Sequence, residues 1–361
     1  MAGPEAKEQA PRERWSHTGW RLVVRERLGQ IMFEPHRLAQ RTFQRLVLDP
    51  LYFKTGFCPV HQRDLSGYSH FVTSREGLFA INQTSCAKVV SGQFFGLTWR
   101  DGAFYAFESL GPYRPPERSE EGRYRRGRLV RIEIEGSRVS RVHTVFSGLS
   151  NGVHQIEFIG GHLYLVDTYN NRILRMPSDL SRVDAEFYPI GRARQEDWAN
   201  GYAHMNSILG RDGSIFLLKH NGRPDKATRP SEVIRCDSDF NILETIELNG
   251  NACHNIVFLE DGSLLSCGSH NGEIIDGQKV IAKISDMFTR GLSVDADSVV
   301  VGSSIYTIRT GKHGRRYVPG RVMFFDRDYE LHAELSVPAA PTDIRRIDAR
   351  DRGLSSFDGT A

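Results

Sequence analysis

The segment HQIEFIGGHLYLVDTYNNRILRM, residues 154–176, decides the fold class. An apolar run, QIEFI, is followed by a GG turn and a second apolar run, LYLV, and a third run, ILRM, follows the polar string DTYNNR. Short apolar runs joined by tight glycine turns are typical of antiparallel strands in hairpins. The segment therefore predicts consecutive strands of one antiparallel sheet.

Segments of the same kind recur along the chain from about residue 66. The others are SHFVTSREGLFAINQ from Ser69, FFGLTWRDGAFYAFES from Phe94, HMNSILGRDGSIFLLKHN from His204, HNIVFLEDGSLLSCGSHNGEI from His254 and RGLSVDADSVVVGSSI from Arg290. Residues 69–337 divided among six copies leave about 45 residues each, the length of a four-stranded propeller blade.

The innermost strands of each copy are nearly all apolar, so a single copy cannot cover both of its faces. A closed ring of copies solves this problem. We therefore predict an all-β fold, a six-bladed β-propeller. A solenoid or a sandwich is the alternative, and both fit a repeat of this period less well.

The predicted domain boundaries follow from where the repeat begins and ends. A charged leader without an apolar segment precedes the repeat, and an amphipathic pattern at residues 34–48 predicts a short helix that caps one face of the ring. The domains are a disordered leader at 1–16, an N-terminal extension at 17–65, the propeller at 66–337 and a C-terminal tail at 338–361.

Propeller rings commonly close by borrowing a strand from the other terminus. Two segments compete for this role. TGWRLVVRER at 18–27 alternates apolar and polar residues, and DIRRID near residue 343 is the competitor.

Composition excludes several classes of protein. No stretch reaches the eighteen or more apolar residues of a membrane-spanning helix, and we expect no membrane partner. A net charge of +3 predicts no nucleic-acid partner. Five scattered cysteines without a CxxC pair argue against a disulfide framework, and they favour a reducing, cytoplasmic setting. The Arg-rich stretch 113–128 predicts a solvated loop, with an anion-binding surface as the alternative.

Histidines recur at one position of the repeat. His70 and His154 each lie seven residues before the first turn glycine of their copy, His254 lies eight before it and His204 nine before it. These positions fall at the start of the innermost strand, and such starts converge at one end of a propeller channel. We therefore predict a histidine cluster at the channel mouth.

Three roles are open for these imidazoles. Three or four neutral nitrogens can hold a divalent metal such as zinc or iron, with His70, His154, His204 and His254 as the candidate ligands. A single histidine can act as a general acid or base. Alternatively, each imidazole bonds the backbone of the neighbouring blade and stabilises the ring. A one-residue shift along a strand reverses the direction of a side chain, so His204 need not point where His254 does.

Other polar residues accompany the histidines at this position. Arg290 brings a fixed positive charge suited to a carboxylate or phosphate, with an inter-blade ion pair as the alternative. Cys253 is expected to be a buried structural thiol. His220 and His270 stand in HNG strings that predict turns. The amides Gln155, Asn206 and Asn255 are candidate substrate-binding residues, or they cap turns into strands.

Two resemblances add to this interpretation. VDTYNNRILRM at 166–176 resembles the NHL-type propeller repeat, which carries a similar D-x-x-N-N-R-I string. HNIVFLEDGSLLSC with SHNGEI, and FTRGL with SVVVGSS, resemble a family of largely uncharacterised bacterial propeller proteins over about residues 150–305. The family implies a fold and no established reaction. Among six-bladed propellers, the peptidyl-hydroxyglycine lyase, with histidine ligands on zinc, is the closer chemical analogue; calcium-type members use Glu, Asp and Asn.

Two functional hypotheses follow. The first is a metal-dependent lyase or hydrolase acting on a small, anionic ligand, with His154, His254 and Arg290 as catalytic residues. The second is a non-catalytic binding or scaffolding propeller with structural histidines and a docked peptide or protein.

Overall fold

A computed structural model of the chain describes residues 56–110, 126–193, 201–221, 229–305 and 319–348, all of which belong to one compact unit. The predicted leader, the helix at 34–48 and the candidate closing strand at 18–27 lie outside these residues. Within the described part of the chain, no helix is long and apolar enough to cross a membrane.

The described residues form six four-stranded antiparallel sheets, which confirms the predicted all-β, six-bladed propeller. Blade 1 contains β1 (His70–Ser74), β2 (Gly77–Ile81) and β3 (Cys86–Ser91); blade 2 contains β4 (Phe94–Arg100), β5 (Ala103–Ser109), β6 (Gly127–Glu135) and β7 (Arg138–Leu149). Blade 3 contains β8 (Val153–Ile159), β9 (His162–Asp167), β10 (Arg172–Met176) and β11 (Ala185–Phe187), and blade 4 contains β12 (Met205–Arg211), β13 (Ser214–Lys219), β14 (Glu232–Cys236) and β15 (Ile242–Glu247). Blade 5 contains β16 (His254–Phe258), β17 (Leu264–Gly268), β18 (Glu273–Asp276) and β19 (Lys279–Lys283), and blade 6 contains β20 (Phe288–Val294), β21 (Val299–Ser304), β22 (Gly320–Phe325) and β23 (Leu331–Val337). A last strand, β24 (Pro341–Arg346), joins blade 1.

The core of the molecule lies between the blades. Each space between consecutive blades is filled by an apolar cluster to which both blades contribute, as Phe71 of blade 1 and Phe104 of blade 2 do. Successive side chains of a strand point to opposite faces, so one blade supplies two clusters at once. The inner strands β24, β4, β8, β12, β16 and β20 contact one another in this order around the ring.

The C-terminal strand closes the ring. β24 pairs antiparallel with β1, and Val72 lies opposite Ile344. Blade 1 is therefore built from three strands near the start of the repeat and one inner strand from its end. Of the two candidate segments, DIRRID supplies the closing strand. The predicted tail at 338–361 is wrong in this respect, because it contains an inner strand of the propeller.

Every inner strand carries a β-bulge near its amino end. In β8 the pairing shifts between Val153 and Gln155, and in β16 it shifts between His254 and Ile256. The other four inner strands show the same irregularity. A bulge breaks strict alternation and leaves a backbone group unpaired in its own sheet. These bulges place the site described below.

Two local features refine the sequence interpretation. In the string DTYNNR, the Asp167 carboxylate accepts hydrogen bonds from Arg172 Nε (2.7 Å) and Asn170 Nδ2 (2.8 Å), which closes the turn between β9 and β10.

Arg128, at the end of the stretch predicted as a solvated loop, is fully buried and forms an ion pair with Glu108 at 2.6 Å. The loop prediction is therefore wrong at Arg128, because this residue is already part of β6.

Candidate functional site

Four imidazoles lie side by side at one end of the channel. The ring centroids of His154 and His204 are 5.3 Å apart, those of His204 and His220 are 4.5 Å apart, and those of His220 and His254 are 4.7 Å apart. His154 belongs to β8, His254 begins β16 and His204 immediately precedes β12. All four side chains are buried. Strands far apart in sequence thus bring their histidines together on the axis.

Three of these residues form a candidate metal centre. His204, His220 and His254 each offer one ligand nitrogen, and the three ligand atoms all lie within 4.8 Å of one another. Zinc–nitrogen bonds are about 2.0–2.1 Å long, so one ion would bind all three nitrogens after the imidazoles move slightly toward one another.

Backbone carbonyls fix the orientation of His254 and His154. Nδ1 of His254 donates to the carbonyl oxygen of Ala252 at 2.9 Å, and Nδ1 of His154 donates to that of Gly152 at 3.1 Å. Because the proton is on Nδ1, the lone pair is on Nε2. A hydrogen bond of this kind is what fixes a metal-binding histidine in its tautomer and orientation.

His220 is held in the opposite way. Its Nε2 donates to the carbonyl oxygen of Cys253 at 2.6 Å, and its Nδ1 is buried with no hydrogen-bond partner among the residues that the structure describes. The remaining member of the triad, His204, has its Nδ1 2.9 Å from the hydroxyl of Tyr202. Each imidazole of the triad therefore uses one nitrogen to bond its protein surroundings.

Burial favours the neutral form of two imidazoles of the triad, His220 and His254. Burial lowers the pKa of His220 to about 3, against a weaker effect of the Cys253 carbonyl and together with the positive charge of Arg290. Burial also lowers the pKa of His254 well below its usual range, and Arg290 adds to this effect. Neutral imidazole is the form that binds metal ions.

Sequence reasoning missed His220. The HNG string predicts a turn for this residue, which follows the second strand β13, yet its side chain is completely buried. In an antiparallel hairpin the end of the second strand lies beside the start of the first, and Lys219 indeed pairs with Met205. This pairing of hairpin ends is the sequence signal that places His220 beside His204. His270, predicted as a turn residue by the same HNG pattern, is exposed and does lie in a turn.

His70 does not join the cluster, and the prediction that it does is wrong. It begins β1, which is the second strand of its blade, and it pairs with Arg346 at the carboxyl end of β24. His154, His204 and His254 lie at the amino ends of their inner strands, so His70 is at the opposite end of its sheet. Closure by the C-terminal strand shifted blade 1 by one strand relative to the other copies. Its Nδ1 is 2.8 Å from the Ser69 hydroxyl.

A small cavity lies beside His254, the one member of the triad that lines it. The volume available to the centre of a water molecule is about 10 Å³, which is room for one water or one ion. Most of the residues predicted for the site line this cavity. The lining consists of His154, Gln155, Asn206, Ser207, His254, Asn255, Arg290, Thr342 and Asp343.

The three predicted amides bond neighbouring inner strands. Gln155 Oε1 accepts from the backbone N–H of Ile208 at 2.6 Å, and Asn255 Oδ1 accepts from that of Gly291 at 2.8 Å. Asn206 Nδ2 donates to the carbonyl oxygen of Cys253 at 2.8 Å. Side chains from one blade thus satisfy backbone groups of the next at the level of the bulges. Their role toward a substrate stays a prediction.

Asp343 is a cavity residue that the sequence did not suggest. Its Oδ2 accepts from the backbone N–H of Leu97 at 2.9 Å, and its Oδ1 accepts from Ile344 N at 3.0 Å and from Asn255 Nδ2 at 3.2 Å. The sequence predicts a tail for this segment, whereas pairing of β24 with β1 brings this carboxylate into the cavity lining.

Cys253 does not provide a reactive thiolate. It is fully buried, and burial raises the pKa of its thiol to about 12. A nucleophilic cysteine needs a lowered pKa. The burial and the raised pKa of Cys253 therefore confirm the expectation of a buried structural thiol.

Comparisons with known proteins support the fold alone. No protein-family model matches the chain, and no curated protein sequence matches it. Among solved structures, it is similar to one described as a nidogen/laminin complex, with 11% sequence identity, a TM-score of 0.51, and coverage of 78% of this chain and 98% of that chain. A protein of unknown function from Bacteroides caccae has 13% identity, a TM-score of 0.48, and coverage of 78% and 99%. A luciferin-regenerating enzyme has 9% identity, a TM-score of 0.41, and coverage of 68% and 77%, and nothing rests on it. Function must therefore be inferred from the site.

Proposed function

We propose that this propeller is a metal-dependent lyase or hydrolase that binds a divalent transition metal, zinc or iron, through His204, His220 and His254. The observation that carries the proposal is the triad itself, three buried imidazoles with ligand nitrogens within 4.8 Å of one another. Neutral nitrogen ligands suit zinc and iron, whereas magnesium and calcium prefer oxygen.

The environment of His220 favours a metal over a purely structural role. A histidine that only stabilises the ring should use both nitrogens in hydrogen bonds. Within the described part of the chain, Nδ1 of His220 is buried and has no such bond. Leaving a buried polar group unsatisfied costs about 1–3 kcal/mol, and a bound metal ion removes this cost.

The cavity lined by His254 supports a catalytic use of the metal. A bound divalent ion would supply Lewis-acid polarisation or activation of a water at neutral pH. His154 lies in the cavity lining, outside the triad. With its Nδ1 proton held by the Gly152 carbonyl, its Nε2 is suited to accept a proton from a small ligand in the cavity. Arg290 and the positive metal favour an anionic ligand.

The wider setting belongs to the same proposal. The five cysteines are free thiols, which supports a cytoplasmic location. The carboxylate-centred turn at Asp167 supports the likeness of blade 3 to the NHL-type repeat. We expect a small-molecule or peptide ligand, with no nucleic acid and no membrane.

A binding or scaffolding propeller remains the second candidate, favoured by the inter-blade hydrogen bonds of Gln155 and Asn255. It predicts no bound metal and a large loss of stability on His254→Ala.

Metal analysis separates the two candidates. The chain is produced without a His tag, and its metal content is measured by mass spectrometry. We expect about one zinc or iron per chain, lost in His220→Ala. His162→Ala is the matched control, because His162 makes the same Nδ1 bond to a carbonyl two residues earlier (Gly160, 3.2 Å) outside the cluster. Sub-stoichiometric metal in the wild type, unchanged in the double variant His204→Ala/His254→Ala, would refute the proposal.

A further inference from the structure

The bulge residue of β16, Asn255, has an uncommon backbone conformation. Its φ is +58°, in the left-handed region that few residues other than glycine adopt. The pairing register between β16 and β17 skips it, passing from His254 to Ile256. An uncommon backbone conformation of this kind persists only where the surroundings hold it. The bulge sets the direction of the preceding side chain, His254, which belongs to the candidate metal centre.

Three other blades hold Asn255 in place. Its side-chain oxygen accepts from the backbone N–H of Gly291 in blade 6 at 2.8 Å, and its backbone N–H donates to the hydroxyl of Ser207 in blade 4 at 3.0 Å. Its Nδ2 donates to the Asp343 carboxylate on the closing strand β24 at 3.2 Å. Asn255 therefore joins its own blade 5 to blades 4, 6 and 1.

The same bonds continue to a second member of the triad, His220. The Ser207 hydroxyl donates to Oδ1 of Asn206 at 2.8 Å, and Nδ2 of Asn206 donates to the carbonyl oxygen of Cys253 at 2.8 Å. That carbonyl accepts the Nε2 proton of His220 at 2.6 Å, and Asn206 also contacts this Nε2 directly. We call this chain of bonds the closure network; its members are Asp343, Asn255, Ser207, Asn206 and the Cys253 carbonyl.

The closure network is buried along its whole length. Its members are at most 6% exposed. In the low dielectric of such surroundings a fully satisfied network is rigid and specifies one geometry, and removing one member leaves buried partners unsatisfied. A displacement of β24 therefore changes the position of the bulge beside His254 and of the carbonyl that holds His220.

We infer that Asn255 and Asp343 are positioning residues that couple closure of the ring by β24 to metal binding by His220 and His254. The inference rests on the proposed function, and it names what regulates that site, the docking of the C-terminal strand. Neither residue needs to touch the metal, because each acts through the backbone and the carbonyl that orient the imidazoles.

The test measures the zinc affinity of the full chain by competition with a chromogenic chelator, for the wild type, Asn255→Gly, Asp343→Asn and the double variant. Glycine keeps the left-handed backbone without strain, so Asn255→Gly removes the side-chain bonds alone. Thr98→Val is the control, because Thr98 on β4 donates to Glu157 on β8 at 2.9 Å, a buried bond between blades 2 and 3 outside the closure network. Melting temperatures of the metal-free proteins are recorded alongside.

We expect zinc affinity to fall by about tenfold or more in Asn255→Gly and in Asp343→Asn, as it does when a group that supports a metal ligand is removed. In the Asn255→Gly background, Asp343→Asn should cause no further loss of zinc affinity, because its effect passes through Asn255. Thr98→Val should lower the melting temperature and leave zinc affinity at the wild-type value.

Ser207→Ala gives a second measurement that does not depend on the folding of Asp343→Asn. It interrupts the closure network between Asn255 and Asn206, and we expect a similar loss of zinc affinity.

Wild-type zinc affinity in Asn255→Gly or in Ser207→Ala overturns the inference while the metal site stands. Additive losses in the double variant overturn the coupling through Asn255. An equal loss in Thr98→Val overturns the inference as well, because zinc affinity would then follow stability alone. Failure of the wild type to bind zinc overturns this inference and the proposed function together, and the metal stoichiometry identifies that case.

Discussion

The hydroxyl oxygen of Tyr202 lies 2.9 Å from Nδ1 of His204, and both side chains are buried. When the hydroxyl accepts the Nδ1 proton, the lone pair of His204 is on Nε2, the arrangement that a metal ligand needs. Removal of such a supporting group typically costs 10–100-fold in metal affinity.

We predict that Tyr202→Phe weakens zinc binding by about 10–100-fold. The measurement is competition with a chromogenic chelator, with the melting temperature of the metal-free protein recorded alongside. Tyr188→Phe is the control, because the Tyr188 hydroxyl bonds the exposed Glu186 away from the cluster. Equal affinity in Tyr202→Phe and wild type would show that this hydroxyl does not orient a ligand.

Metal should also stabilise the folded chain. A ligand that binds only the folded state at 100 times its Kd adds about 2.7 kcal/mol to the free energy of unfolding. We expect zinc to raise the melting temperature of chelator-treated wild type and of His162→Ala, and to leave that of His254→Ala unchanged. An equal rise in His254→Ala would place the bound zinc elsewhere.

Gly96 is predicted to be essential for the contact between blades 2 and 3. A Cβ on Gly96 would lie 2.7 Å from the backbone of Gln155, and the residue has a φ of +43°. Gly102 also has a positive φ, +74°, but no atom of the described residues lies within 4 Å of a Cβ there. We expect Gly102→Ala to lower the free energy of unfolding by about 1 kcal/mol, and Gly96→Ala by about 2–4 kcal/mol, because overpacking is added to the backbone strain. Equal losses of the free energy of unfolding in denaturant melts would mean that the contact between blades 2 and 3 rearranges to accommodate the added methyl group.

His70 should make the stability of the protein depend on pH. Burial, and then the positive charge of Arg346, lower its pKa from 6.5 to about 4. Below pH 6.5 the unfolded chain binds a proton that the folded chain does not, so the contribution of His70 is full above pH 6.5 and is lost as the pH falls toward 4. Between pH 6.5 and 4, we expect the free energy of unfolding of His70→Asn to fall by up to about 3 kcal/mol less than that of the wild type. Urea melts of metal-free protein between these pH values measure it, and parallel curves for the two proteins would contradict it.

Closure by β24 predicts different outcomes for two truncations. A chain ending at residue 340 lacks the inner strand of blade 1, which exposes the apolar side chains of Val72 and Phe79. We expect it to lose cooperative unfolding in calorimetry. A chain ending at residue 348 retains β24 and should unfold like the full chain. A cooperative transition in the shorter chain would show that the ring closes without this strand.

The predictability of the site differed from residue to residue. His154, His204 and His254 lie seven, nine and eight residues before a turn glycine, so a repeat alignment with small shifts could place them at one rim. His220 and Asp343 share no such offset. One lies at the end of a second strand and the other on the closing strand, and both depend on pairings between segments.

His70 shows the limit of alignment most clearly. It has the same offset as His154, yet it lies at the opposite end of its sheet. An offset within a hairpin defines local geometry, but it does not say which strand of the blade that hairpin supplies. That assignment depends on which terminus closes the ring.

The sequence by itself determined that short apolar strands repeat six times and must cover one another in a closed ring, because hydrophobic patterning and turn chemistry are local. The tertiary structure alone decided which terminus supplies the last inner strand and which imidazoles meet on the axis. Those outcomes depend on strand pairing across long sequence separations, on bulges that redirect side chains, and on antiparallel order, which sends identical offsets to opposite ends of a sheet.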